Sequence, residues 1–162
     1  MPRALAWYAL AAVVLAADYA TKLAVLASFA PGEVRTLAPF FNLTLAFNTG
    51  AAFSFLAGAG GWQTLMFAGI AVVASIVVAF LIWREPGRRT YCAGLALILG
   101  GALGNLHDRV VHGKVVDFLD FHALGWHWPA FNVADSGITV GAALLILESF
   151  LHRDGETSPR AS

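Results

Sequence analysis

The amino-acid sequence predicts an all-α membrane protein: four transmembrane helices, with a small extracytoplasmic β segment after the first. Three observations predict it. Of the 162 residues, 59% are hydrophobic, and the mean hydropathy is +0.71, more than a water-soluble domain of this size hides in a core. Four apolar stretches approach the roughly 20 residues that a helix needs to cross a bilayer. Between the first two lies a segment that alternates apolar and polar residues.

The first span runs from about Ala4 to Ser28, interrupted only by Asp18 and Lys22. Its start, MPRALAWYALAAVVLAADYA, also has the form of a secretory signal peptide: Arg3, an apolar run, then small residues. The apolar run resumes after Lys22 and completes a full span, so a retained helix is expected. The second span covers Trp62 to Trp83, the third about Thr90 to Leu106, and the fourth about Val133 to Leu151. The third is short, but Gly100 and Gly104 form a small-xxx-small pair that lets another helix approach closely. Together the spans make one peptide-chain domain over residues 1–152. The segment RDGETSPRAS, residues 153–162, is expected to be a disordered cytoplasmic tail.

Basic residues set the orientation. With the N-terminus inside, Arg3, Arg84, Arg88, Arg89, Arg153 and Arg160 are cytoplasmic, and only Arg35, Arg109 and Lys114 fall outside. Both termini are therefore expected in the cytoplasm. The alternating segment FFNLTLAFNTGAAFSFL then lies outside. It sets Phe41, Leu43, Leu45 and Phe47 against Asn42, Thr44, Ala46 and Asn48. NTG supplies turn residues before a second apolar stretch, which predicts a hairpin with one apolar face on the membrane surface.

Charge is scarce and concentrated. Thr90 to His107 contains no Asp, Glu, Lys or Arg, and then Asp108, Arg109, Lys114, Asp117 and Asp120 follow closely. Asp18 and Lys22 share a helix face at i, i+4. Counted from Ala4, Asp18 is roughly 21 Å into the span, past the midplane toward the outside. Charge at that depth calls for a partner or a polar cavity. Either the two residues satisfy each other, with Lys22 snorkelling outward, or they belong to a polar site. Asn132 and Asp135, in FNVADSG, have the spacing of an N-cap and its third helical residue. Asp135 is either a capping acid or part of that site. Carboxylates at the outer ends of three spans exceed what capping requires.

Two carboxylates brought together can share a proton, one staying ionised to activate water and the other polarising a carbonyl. The pattern does not by itself choose among Asp108, Asp117 and Asp120. HExxH and G-x-S-x-G are absent from the sequence. His107, His112, His122 and His127 follow no standard zinc spacing and read as interfacial loop histidines. The single cysteine, Cys92, lies in an apolar run and reads as packing; it excludes an intrachain disulfide. Zero net charge excludes a nucleic-acid footprint. The alternative function is a small ion-coupled transporter using intramembrane carboxylates. Such proteins place the ionisable site near the midplane, whereas these acids gather at the outer end.

Four blocks in order resemble the bacterial lipoprotein signal peptidases, also called signal peptidase II. They are DYATK (Asp18 to Lys22), FNTGAAFSFL (Phe47 to Leu56), GGALGNLHDRVVHGKVVDF (Gly100 to Phe118) and FNVADS (Phe131 to Ser136). Tyr19 stands where Gln is frequent in that family. The resemblance implies an intramembrane aspartyl endopeptidase of the bacterial inner membrane, multi-pass, with its active site near the outer leaflet. It implies cleavage of diacylglyceryl-modified prolipoproteins at the bond before the lipidated Cys. By motif position, Asp117 and Asp135 correspond to the catalytic dyad. Asn48, Gly50, Asn105, Asp108, Arg109 and Asn132 correspond to residues that bind substrate or support the site, and Asp18 with Lys22 to a structural polar pair. No metal and no other cofactor is implied. The expected partners are the diacylated prolipoprotein and membrane lipid, and the protein is expected to be a monomer.

Overall fold

A computed structural model describes residues 2–50 and 61–156. Among the described residues a strand pair follows the first and the third of four long helices: α1 (Pro2–Ser28), β1 (Val34–Ala38), β2 (Phe41–Asn48), α2 (Trp62–Arg84), α3 (Arg89–His112), β3 (Val115–Ala123), β4 (Trp126–His127) and α4 (Val133–Glu156). Among the described residues, three helical segments are long and apolar enough to cross a membrane: Pro2–Ser28, Trp62–Arg84 and Val133–Leu151.

Helix α3 has the length of its neighbours, about 36 Å at 1.5 Å per residue, but not their composition, because it packs against α1, α2 and α4. Its buried positions include Cys92, Ala96, Leu99, Gly100, Gly101, Gly104, Asn105 and Asp108. A helix surrounded by protein needs small residues for close approach more than apolar bulk. A Cβ on Gly100 would lie 2.5 Å from Ala11 O of α1, and one on Gly101 would overlap Ala134 O of α4. Gly100 thus sets the α1 contact as its spacing predicts, while Gly101 sets the α4 contact.

The outer helices are inverted relative to a soluble bundle. Leu5, Val13, Leu65, Val73, Ile76, Trp83, Ile146 and Phe150 are exposed, an arrangement suited to lipid rather than water. On α1 the buried residues Ala4, Ala11, Asp18 and Val25 recur every seventh position, with Lys22 added beside them. One end of the bundle is closed by Trp7 Nε1 donating to Pro86 O (3.1 Å), Tyr8 Oη donating to Ala79 O (2.8 Å) and Arg88 pairing with Glu148 (3.3 Å). The sheet occupies the opposite end.

That sheet is antiparallel in the order β1-β2-β3-β4. Val25 of α1 packs with Leu45, Val116 and Phe118 beneath it. It differs from the expected β segment in three ways. The hairpin partner of β2 is β1, which precedes it; the stretch after NTG, 51–60, lies outside the described residues. Polar side chains of β2 are buried, Asn42 and Thr44 among them, while Phe47 is exposed, because Asn42 donates to Asp120 of β3 and Thr44 to Glu33 O just before β1. Two further strands lie between α3 and α4, where the sequence predicts a charged loop. At the C-terminus α4 continues to Glu156, into the expected tail, and 157–162 lie outside the described residues.

Candidate active site

The polar residues converge where β3, α3 and the start of α4 meet. Backbone pairing brings them together. Phe131 O accepts from the N–H groups of Phe118 (2.9 Å) and Leu119 (2.8 Å), and Phe131 N–H donates to Leu119 O (3.1 Å). This clamps the chain entering α4 onto β3. Asn132 is therefore held beside Asp117, and Asp135 follows in the first turn of α4.

Asn132 is fully buried and acts as the N-cap that its spacing predicts: its Oδ1 accepts from Asp135 N–H at 2.9 Å. Its amide also faces the site, with Nδ2 donating to Asp117 Oδ1 at 2.7 Å. Asn105 Nδ2 donates to Asp135 Oδ1 at 2.7 Å. Asn48 Oδ1 accepts from Gly50 N–H at 2.9 Å, and its side chain also hydrogen-bonds Asp117. Three amides thus hold two carboxylates.

Asp117 is 3% exposed. Burial, then the nearby negative charge of Asp135, push its carboxyl up to about 7, against the hydrogen bonds from Asn48 and Asn132 and the charge of Lys22. Asp120, three residues along the same strand, goes the other way. Burial opposes its ionisation, but Asn42 Nδ2 donating at 2.8 Å and His127 Nδ1 at 2.8 Å outweigh that and hold it below the usual carboxylate range. Asp108 is committed elsewhere, bonded to Lys22 Nζ at 2.8 Å and to Val116 N–H at 3.1 Å. Geometry thus separates three acids that sequence alone does not.

Lys22 does not snorkel. It is 2% exposed and bridges Asp18 Oδ2 (2.7 Å) and Asp108 Oδ2. Asp18 in turn accepts from Ala134 N–H at 2.8 Å, a second cap on α4 supplied by α1. Gly104 makes room for it: a Cβ there would lie 2.5 Å from Asp18 Oδ2. Arg109 donates to Gly50 O (2.8 Å) and Asn105 O (3.2 Å) and lies over the Phe67 ring. The four histidines are not loop residues: His107 and His112 lie in the last two turns of α3, and His122 and His127 stack across β3 and β4 with ring centroids 4.8 Å apart.

Beside the carboxylates a cavity of about 920 Å³ opens between α2, α3 and α4. Asn48, Asn105, Arg109 and Asp135 line its polar part; Phe67, Ile70, Ile98, Ile138, Val140 and Trp128 are among its apolar walls. Sequence reasoning missed these wall residues. Phe67 and Ile70 sit in a uniformly apolar helix that marks no position above another.

Comparison with known proteins gives a consistent picture. Residues 10–151 match the family described as signal peptidase (SPase) II. A lipoprotein signal peptidase of Ralstonia nicotianae is 56% identical over 142 residues, 88% of this chain and 82% of that protein. One of Paraburkholderia phytofirmans is 55% identical over 142 residues, covering 88% and 83%. Two solved bacterial membrane enzymes share the fold. One has a TM-score of 0.83 at 29% identity, over 97% of this chain and 94% of that one; the other has 0.77 at 31%, over 88% and 91%.

Proposed function

The chain belongs to the signal peptidase II family of lipoprotein signal peptidases, and on that premise we propose that Asp117 and Asp135 are its catalytic aspartates. The enzyme is an aspartic endopeptidase of the bacterial inner membrane that removes signal peptides from prolipoproteins. The observation that carries the site assignment is Asn132, whose one amide binds Asp117 with its nitrogen and the backbone of Asp135 with its oxygen. Two acids so held form a proton-sharing pair. The ionised carboxylate takes a proton from water as the water oxygen attacks the scissile carbonyl. The protonated carboxyl gives its hydrogen bond, then its proton, to the carbonyl oxygen. Collapse of the tetrahedral species re-forms C=O and breaks the C–N bond: one hydroxyl proton returns to the carboxylate that gave it, and the proton taken from water leaves on the released amine.

The substrate is a prolipoprotein whose Cys carries a diacylglyceryl group, cut at the bond before that Cys. The apolar part of the cavity suits lipid chains and signal-peptide side chains, and its polar end suits the peptide backbone. Arg109, Asn48 and Gly50 support that end. All four helices span the membrane with both termini in the cytoplasm and the dyad near the outer leaflet, and the protein works as a monomer. The buried, protein-encased setting of α3 explains why it spans with little apolar bulk. The transporter alternative places its ionisable groups at mid-membrane, whereas here they lie at the sheet end of the bundle.

Purified protein tests this with a diacylated prolipoprotein beside its unlipidated form. Cleavage of the lipidated substrate alone is expected. Equal cleavage of both would remove the lipid from the recognition, and cleavage of neither would remove the peptidase reading.

A further inference from the structure

Lys22 is a buried cation that the peptide-cleaving chemistry above does not use. Its ammonium meets Asp18 Oδ2 at 2.7 Å, Asp108 Oδ2 at 2.8 Å and Asn105 Oδ1 at 3.2 Å. Two carboxylates already exceed its charge, so the contact with a neutral amide is not needed for ion pairing. It does have a directional consequence. An ammonium only donates hydrogen bonds, so the Asn105 oxygen must face Lys22. The Asn105 NH₂ is thereby turned toward Asp135, where Nδ2 reaches Oδ1 at 2.7 Å. Asn132 reinforces this orientation, because its Nδ2 also lies 3.2 Å from Asn105 Oδ1. Asn132 is itself locked, since the Asp135 N–H that it accepts can only donate.

We propose that Lys22 is a positioning residue for the reaction: by fixing the Asn105 amide, it holds Asp135 as the ionised member of the dyad and leaves the shared proton on Asp117. This rests on the reading of Asp117 and Asp135 as the catalytic pair. Lys22 from α1 and Arg109 from α3 act on both acids, so the asymmetry comes from the Asn105 amide, which reaches Asp135, and from the lower exposure of Asp117. Helix α2 contributes apolar Phe67 and Ile70 on that side, while Asp18 and Asp108 are bonded to Lys22. Asp117 is the more enclosed acid, with its carboxyl pushed up to about 7 by burial and by Asp135. A protonated Asp117 still accepts from Asn48 and Asn132 while presenting an O–H to the scissile carbonyl.

The test is the pH profile of kcat on a diacylated prolipoprotein for Lys22→Met, which removes the charge at similar length. The acid limb, where the base must be ionised, is expected to move up by about one pH unit with KM little changed. Loss of kcat with the limb unmoved overturns the proposal. If Lys22→Met does not fold, Asn105→Leu leaves Lys22 with Asp18 and Asp108 and breaks its link to Asp135, while Asn132 keeps its bonds to Asp117 and to Asp135 N–H; the same displaced limb is required. A second measurement needs neither Lys22→Met nor Asn105→Leu. Infrared spectroscopy is expected to show a protonated-carboxyl band titrating near pH 7 that Asp117→Asn removes and that Asp135→Asn shifts to a lower midpoint. A band removed by Asp135→Asn and unchanged by Asp117→Asn overturns the assignment. No cleavage by the unaltered protein sinks the peptidase reading itself, whereas cleavage with an unmoved limb sinks only the role of Lys22.

Discussion

Asn132 Nδ2 lies 2.7 Å from Asp117 Oδ1, and through the same side chain Asp117 is joined to the first turn of α4. The side chain does two jobs, capping a helix and orienting an acid, which have separable consequences. Asn132→Ala should cost about 1 kcal/mol of stability for the lost cap, visible as a modest fall in Tm. It should lower kcat by roughly a hundredfold, far more than the stability loss explains. Equal Tm and activity losses, both restored by a generally stabilising lipid or detergent, would reduce Asn132 to a cap.

The raised Asp117 carboxyl makes a stability prediction with a definite sign. Its unfolded value is near the ordinary 3.8 and its folded value about 7. Between those limits the folded state binds more protons than the unfolded one, so stability falls as pH rises from about 4 to about 7. Asp117→Asn removes that penalty. Thermal melts should show the variant more stable than the parent at pH 8, by an amount on the order of a few kcal/mol, with the difference closing toward pH 4. A variant no more stable at pH 8 would mean that Asp117 ionises freely in the folded protein.

Asp18→Ala strands Lys22 beside one acid instead of two and uncaps Ala134 N–H. Lys22 keeps Asp108, so no buried charge is left unpaired; the lost hydrogen bond and the lost cap each cost about 1 kcal/mol, so Tm should fall and activity with it. Asp18→Asn, which keeps an oxygen for Ala134, should be milder. Full stability with cleavage abolished would move Asp18 from support into the chemistry.

Much of this was legible in the sequence, and the misses have physical causes. α1, α2 and α4 face lipid, so their composition announces them. The Asp18–Lys22 spacing exposes that pair, but nothing local shows that Asp108 completes it from α3. Strand β3 escaped notice because both of its faces are covered: Val115, Val116, Asp117 and Phe118 are all buried, which erases the alternation of a half-buried strand. The inward polar face of β2 was hidden for a related reason, since Asn42 answers Asp120 across the strands. Motif position singles out Asp117, but the residue pattern by itself does not separate it from Asp108 and Asp120, because which acids are bonded to a cation or a histidine is a property of the fold.

The most direct measurement of the central claim is single-turnover cleavage of a diacylated prolipoprotein by Asp117→Asn, Asp135→Asn and the double variant. Each change keeps shape and polarity while removing the capacity to hold or share the proton. If the two act as one unit, each single change should lower the rate by roughly a thousandfold or more, and the double variant should be scarcely worse than either. Substrate binding should persist in all three, and Asp120→Asn should be far milder. Substantial turnover by either single variant, or losses that multiply in the double one, would contradict the Asp117–Asp135 dyad.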